Sequence, residues 1–284
     1  METIWVEDLA DPCLVDYRNI KDADLRRQRG LFMAEGRLVV ELLVRDSLYS
    51  PDSLFLNRRS YNALRPVLEE LGLEAPVYVA EQGVFNEIVG FDMHRGCLAA
   101  GQVGELPTPR ELLAETTRPG SLIVIAEGLT NTENLGGVFR NAMAFGADAV
   151  LLCPKSCDPL YRKSIRVSMG GTLRIPSARF DAWPASLADV RAAGYQVVAL
   201  DLDENAVSLQ QLGASLAPDQ RVALLLGTEG RGISEAALKY VDYSVQIPMV
   251  QGVDSLNVAT ASGIAMQFLY AHSLTQGTNE RSQT

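Results

Sequence analysis

A chain of 284 residues has room for one large domain or two small ones, and its 47% hydrophobic content is enough for a substantial core. No apolar run approaches the roughly 18 residues that span a bilayer, and four cysteines without a CxxC pair, beside only His94 and His272, leave a zinc site short of ligands. The net charge of −10 weighs against nucleic acid as a partner unless Lys and Arg are gathered locally.

The opening METIWVEDLADP is acidic and lacks the basic and apolar stretches of a signal peptide, so a cytoplasmic location with reduced thiols is expected. Arg18, Lys21, Arg26, Arg27, Arg29 and Arg37 then form a basic cluster against Asp22, Asp24 and Glu35. LFMAEGRLVVELLV (31–44) has helical apolar spacing in its second half, and SLFLN (53–57) and APVYVA (75–80) alternate as strands do. YNALRPVLEELG between them reads as a helix closed by Gly72, and GCLAAGQV (96–103) as a further strand. These elements predict a small α/β module over 1–104. ELPTPRELLAETTRPG, with Pro107, Pro109 and Pro119, predicts a linker with a short helix over 105–119.

From 120 to 272 the alternation is regular. Buried-type strands are expected at SLIVIAE (121–127), DAVLLC (148–153), YQVVALD (195–201) and RVALLLG (221–227), with helical stretches between, including 135–145. Apolar strands alternating with helices predict a parallel sheet covered on both faces, with ligands at the carboxyl ends of the strands. A second basic cluster lies here: Lys155, Arg162, Lys163, Arg166 and Arg174 against Asp158. The last helix is expected over 255–272, with Ser255 able to cap it and Asn257 in its first turn, and the polar 273–284 is expected to be a disordered tail.

Three loops carry polar residues and glycines directly after strands. In GLTNTENLGGVFRNA (128–142), Asn131, Glu133 and Asn134 gather at a helix entry, and Gly136 and Gly137 suggest close approach by a ligand or another backbone. LLLGTEGRGIS (224–234) is a Gly-rich turn that exposes backbone N–H groups, with neither a Walker A lysine nor a GxGxxG order. QIPMVQGVDSLNVATASG (246–263) has a sharp loop at Gly252 before the last helix. Each alone is also compatible with a tight turn or a capped helix.

Together, NTENLGGVFRNA, LLLGTEGRGIS and IPMVQGVDSLNVA, with SMGGTLRIP (168–176) between them, resemble in sequence and order the motifs of the SpoU-type (TrmH-like) RNA 2′-O-methyltransferases of the SPOUT superfamily. The resemblance covers about 150 residues. It implies an α/β domain with a deep trefoil knot, preceded by a small RNA-binding module, and a symmetric homodimer acting on rRNA or tRNA without metal or membrane. It also implies S-adenosylmethionine as cofactor, held by Gly227, Ile247 and Leu256 with Leu226 and Met249 adjacent. Arg140, Asn134, Glu229, Ser255 and Asn257 match the polar positions of the motifs.

Family analogy makes Arg140 the base that takes the hydroxyl proton. Neutralising an arginine of pKa near 13.8 at pH 7 costs roughly 9 kcal/mol, so a phosphate clamp that polarises the hydroxyl is the preferred role. Asn134 and Ser255 are expected to orient ribose or arginine, and Glu229 and Asn257 to brace the loops. Two rival expectations are an RNA-binding protein that has lost catalysis and a knotted enzyme that methylates a base nitrogen.

Overall fold

The computed structural model describes residues 1–18, 21–90, 92–93, 96–202, 206–217, 219–228, 230–250, 252 and 255–281, with side chains as far as Ser273. It divides into two compact units, one of residues 1–105 with 159–174, the other of 106–158 with 175–284.

The first unit holds β1 (Thr3–Trp5), the short helical turn α1 (Asp22–Asp24), β2 (Leu31–Glu35), α2 (Arg37–Arg45), β3 (Pro51–Asn57), α3 (Arg58–Glu70), β4 (Val77–Ala80), α4 (Gln82–Val89) and β5 (Cys97–Gln102). Its five strands run in the order β1-β4-β3-β5-β2, parallel among β1, β4 and β3 and antiparallel where β5 meets β3 and β2. The 31–44 segment is a strand followed by a helix, because LFMA is buried at every position and Gly36 at φ 95° turns the chain before α2. Pro66 sits within α3, which is amphipathic and packs Tyr61, Leu64 and Leu68 inward, so burial outweighs the lost backbone bond.

The second unit holds α5 (Pro109–Glu115), β6 (Leu122–Ala126), α6 (Thr132–Ala144) and β7 (Ala149–Leu152). The chain then supplies α7 (Arg162–Val167) to the first unit before β8 (Ser177–Arg179), α8 (Leu187–Ala192), β9 (Tyr195–Leu200), β10 (Val207–Ser208), α9 (Leu209–Ser215), β11 (Arg221–Leu226), α10 (Glu235–Leu238), β12 (Tyr243–Gln246) and α11 (Val258–Arg281). Seven strands form one sheet in the order β10-β12-β9-β11-β6-β7-β8, and every pairing is parallel. All five residues of β6 are buried, as a strand covered on both faces requires. The 105–119 segment is more than a connection: a Thr108–Glu111 capping box starts α5, which buries Leu112 and Leu113 in the core of this unit.

Two expectations need correction at the C-terminal helix. It begins at Val258, not 255, because the side-chain oxygen of Asn257 accepts from the N–H groups of Ala259 (2.9 Å) and Thr260 (3.4 Å) and caps it. It also continues past His272 to Arg281 where a disordered tail was expected; no proline stands in 273–281 to stop it. No helix among the described residues is long and apolar enough to cross a membrane.

Strand register decides where the loops meet. Ala126, Leu200 and Leu226 stand side by side at the carboxyl ends of β6, β9 and β11, and Val245 of β12 pairs with Leu200. The chain runs from β6 outward to β8, then crosses to build β9, β11 and β12 on the other side. That reversal between β6 and β11 is the switch point where parallel sheets bind ligands.

Candidate functional site

The loops that leave β9, β11 and β12, with the start of α11, surround a cavity of about 290 Å³, near the lower end of the range for small-molecule sites. Its floor is Leu200 and Leu226; Gly227, Thr228, Gly230 and Gly232 form one wall, and Ile247, Met249, Ser255 and Leu256 another. Leu226, Gly227, Ile247, Met249 and Leu256 thus come together, with Ser255 beside them. Asp201 and Leu202, directly after β9, and Thr228, Val258 and Ala261 complete the lining without having been singled out in the sequence. The available signal was the strand register, which a sequence alone does not display.

The wall after β11 is fixed by hydrogen bonds. Thr228 and Gly232 pair their backbones reciprocally at 3.0 and 3.1 Å. A Cβ on Gly227 would stand 2.3–2.5 Å from the backbone of Gly232 and Ile233, so glycine is the residue that lets the loop close. Glu127, buried at the end of β6, accepts from the Ser234 N–H (3.0 Å), the Ser234 hydroxyl (2.7 Å) and the Trp183 indole (2.7 Å). A buried carboxylate needs such partners, and here they tie the loop's far end to the neighbouring strand. Glu127 escaped the sequence reading because its chemistry looked like the end of a strand.

The opposite wall depends on α6 and α11. Asn131 caps α6 through the N–H groups of Glu133 (2.8 Å) and Asn134 (3.4 Å). Asn134 is buried, and its side-chain oxygen accepts from Asn257 at 2.9 Å, so the starts of the two helices are stapled together. One turn on, a Cβ at Gly137 would lie 2.5 Å from Ala259, and Asn141 donates to the Ala259 carbonyl (2.6 Å) and the Ser262 hydroxyl (3.0 Å). The close approach foreseen at Gly137 is therefore to α11.

Arg140 lies on the same helix, off that stripe; it is exposed, has no hydrogen-bond or ion-pair partner among the described residues, and does not line the cavity. Ser255 is exposed at the cavity. Glu229 lies outside the described residues. Among those described, no group of His, Cys, Asp and Glu is arranged to hold a metal.

Four arginines of the basic clusters are paired within the first unit. Arg162 (3.6 Å) and Arg166 (3.0 Å) both reach Glu35, Arg29 reaches Asp16 (3.0 Å), and Arg174 pairs with Asp46.

Residues 121–267 match the family model of the SpoU rRNA Methylase family. An uncharacterized tRNA/rRNA methyltransferase of Mycobacterium tuberculosis is 39% identical over 259 residues, covering 90% of this chain and 87% of the relative. Among solved structures, the AdoMet-bound rRNA methyltransferase from Sinorhizobium meliloti superposes with a TM-score of 0.78 at 25% identity, covering 95% of this chain and 98% of that one. The SpoU methyltransferase AviRb from Streptomyces viridochromogenes shares the fold, with a TM-score of 0.73 at 22% identity over 92% of this chain and 95% of its own. The family-model match and the relative, on a parallel α/β sheet with a glycine-walled cavity at its switch point, define the class as a SPOUT-type methyltransferase. The chain belongs to the SpoU rRNA Methylase family.

Proposed function

We propose that this chain, an S-adenosylmethionine-dependent tRNA/rRNA methyltransferase of the SpoU family, transfers the methyl group to a ribose 2′-hydroxyl. The observation that carries the reading is the convergence on one cavity of the five residues that the motif resemblance assigns to the cofactor: Leu226, Gly227, Ile247, Met249 and Leu256.

The donor set suits the cofactor. Leucine, isoleucine and methionine side chains offer apolar faces to a flat base, and the strand-end backbone offers the N–H and C=O groups that an adenine edge needs. The absence of room for a Cβ at Gly227 supports recognition by main chain, since any side chain there would displace the wall. When bound, the cofactor supplies an electrophilic methyl on a sulfonium.

The acceptor hydroxyl is a weak nucleophile, and the protein must hold it and receive its proton. Arg140 is exposed and without a partner among the described residues, which supports the role of clamping the RNA phosphate and polarising the hydroxyl, with the proton leaving late in transfer. Ser255, exposed at the cavity, can hydrogen-bond the ribose. Asn134 and Asn257 bond to each other, which favours bracing the site over touching RNA. Glu229 is assigned to the site on the motif alone. The same reading gives the second unit the family's trefoil knot, the first unit an RNA-binding role, and the protein a symmetric homodimer, for which light scattering at micromolar concentration should return twice the chain mass.

Digestion of RNA methylated by the purified protein, followed by mass spectrometry of the nucleosides, tests the reading. Recovery of a 2′-O-methylnucleoside is expected; recovery of a base-methylated nucleoside in its place would overturn it in favour of base chemistry. No methylation of any RNA would favour the binding-only alternative.

A further inference from the structure

Asp201 is the one ionisable side chain among the described residues that line the cavity. It follows the last residue of β9, and its backbone N–H is held by the Val245 carbonyl at 3.0 Å, which fixes the Cα at the cavity rim. One carboxylate oxygen accepts from the Leu202 N–H at 2.9 Å, and no cation pairs with the group among the described residues. The rest of the described lining is aliphatic, glycine, the Met249 thioether, or the hydroxyls of Thr228 and Ser255. Among the described lining residues, charge is therefore supplied by one carboxylate.

We propose that Asp201 makes the site selective for the cationic methyl donor over its neutral demethylated product. The inference rests on the cofactor reading above. Methyl transfer turns a sulfonium into a thioether, so the two molecules differ by one positive charge and one methyl. A cavity of about 290 Å³ has dimensions of roughly 8 Å, so a cation anywhere inside it lies within Coulomb range of the carboxylate. At an effective dielectric near 20 that range corresponds to an order of magnitude or more in binding; the product keeps the amino-acid ammonium and carboxylate it shares with the donor but lacks the sulfonium's share. The function served is turnover: the donor is retained, the product is released, and inhibition by product is relieved without any change in cavity shape.

Isothermal titration of the purified full chain with S-adenosylmethionine, S-adenosylhomocysteine and sinefungin tests this, because sinefungin carries an ammonium where the donor carries its sulfonium methyl. In Asp201→Asn, Kd for the donor and for sinefungin should rise about ten-fold (about 1.4 kcal/mol) while Kd for the product changes less than about two-fold. Asp201→Glu keeps the charge and should keep the selectivity; added salt should weaken the donor more than the product in the unaltered protein, which covers the case of an unfolded Asn variant. Equal loss for all three ligands, as a hydrogen bond to the shared ribose would give, overturns the proposal and leaves the cofactor reading intact. Failure of the unaltered chain to bind any of the three overturns both.

Discussion

Asn257 shows how a single side chain can hold two elements at once. Expected to brace the loops and to sit in the first turn of the last helix, it stands one position earlier, where its oxygen caps α11 and its amide holds Asn134. Gly227 is the complementary case, where what matters is the absence of a side chain. Gly227→Ala should drive a methyl into the Gly232–Ile233 backbone and weaken cofactor binding at least ~10-fold, measured by titration; unchanged affinity would show that the wall can yield. Arg140→Ala should lower methylation by about 10²–10⁴-fold while leaving cofactor Kd nearly unchanged, and normal turnover in that variant would remove Arg140 from the mechanism. Cys97 lies in the core of the first unit, and burial pushes its thiol up from the ordinary 9.0 to about 12. The unfolded chain gives up this proton first, so the thiol's contribution to stability is intact below about pH 9 and is lost as pH rises towards 12. Cys97 should accordingly react with a thiol reagent only as fast as the protein unfolds, and rapid labelling in the native state would contradict its burial.

At the scale of elements, the pairing of α6 with α11 is the feature that shapes the site. Three positions on α6, Asn134, Gly137 and Asn141, meet Asn257, Ala259 and Ser262. Asn257→Ala removes a cap and takes one hydrogen bond from the buried Asn134, so a loss of about 1–3 kcal/mol is expected in urea unfolding. A loss below a few tenths would mean water replaces both bonds. Four strands of the second unit were legible because LIVIA, AVLL, YQVVAL and RVALLL are apolar but for Gln196 and Arg221. The short edge strands β8 and β10, at three and two residues, were not, since they carry no periodicity and exist only through their neighbours. Strand β2 was hidden inside an apolar run that continues into α2. For the same reason the cavity's motif residues could be named from sequence, whereas Asp201 and Glu127 required the register that aligns four strand ends.

For the molecule as a whole, the question is how an acidic protein holds RNA. Four arginines of the clusters that promised a contact surface, Arg29, Arg162, Arg166 and Arg174, are tied to Asp16, Glu35 and Asp46 within the first unit. Cations held in such pairs release fewer counterions, so where the pairs persist the slope of log K against log salt for RNA binding should be shallow, with a magnitude below about 4. A steep slope near 8 would mean that these pairs open on binding. The most direct measurement of the account is transfer of labelled methyl from S-adenosylmethionine to RNA, followed by complete alkaline hydrolysis. Methylation of the 2′-oxygen blocks cleavage at its own linkage, so the label is predicted in alkali-resistant dinucleotides; label recovered in mononucleotides would contradict ribose as the acceptor.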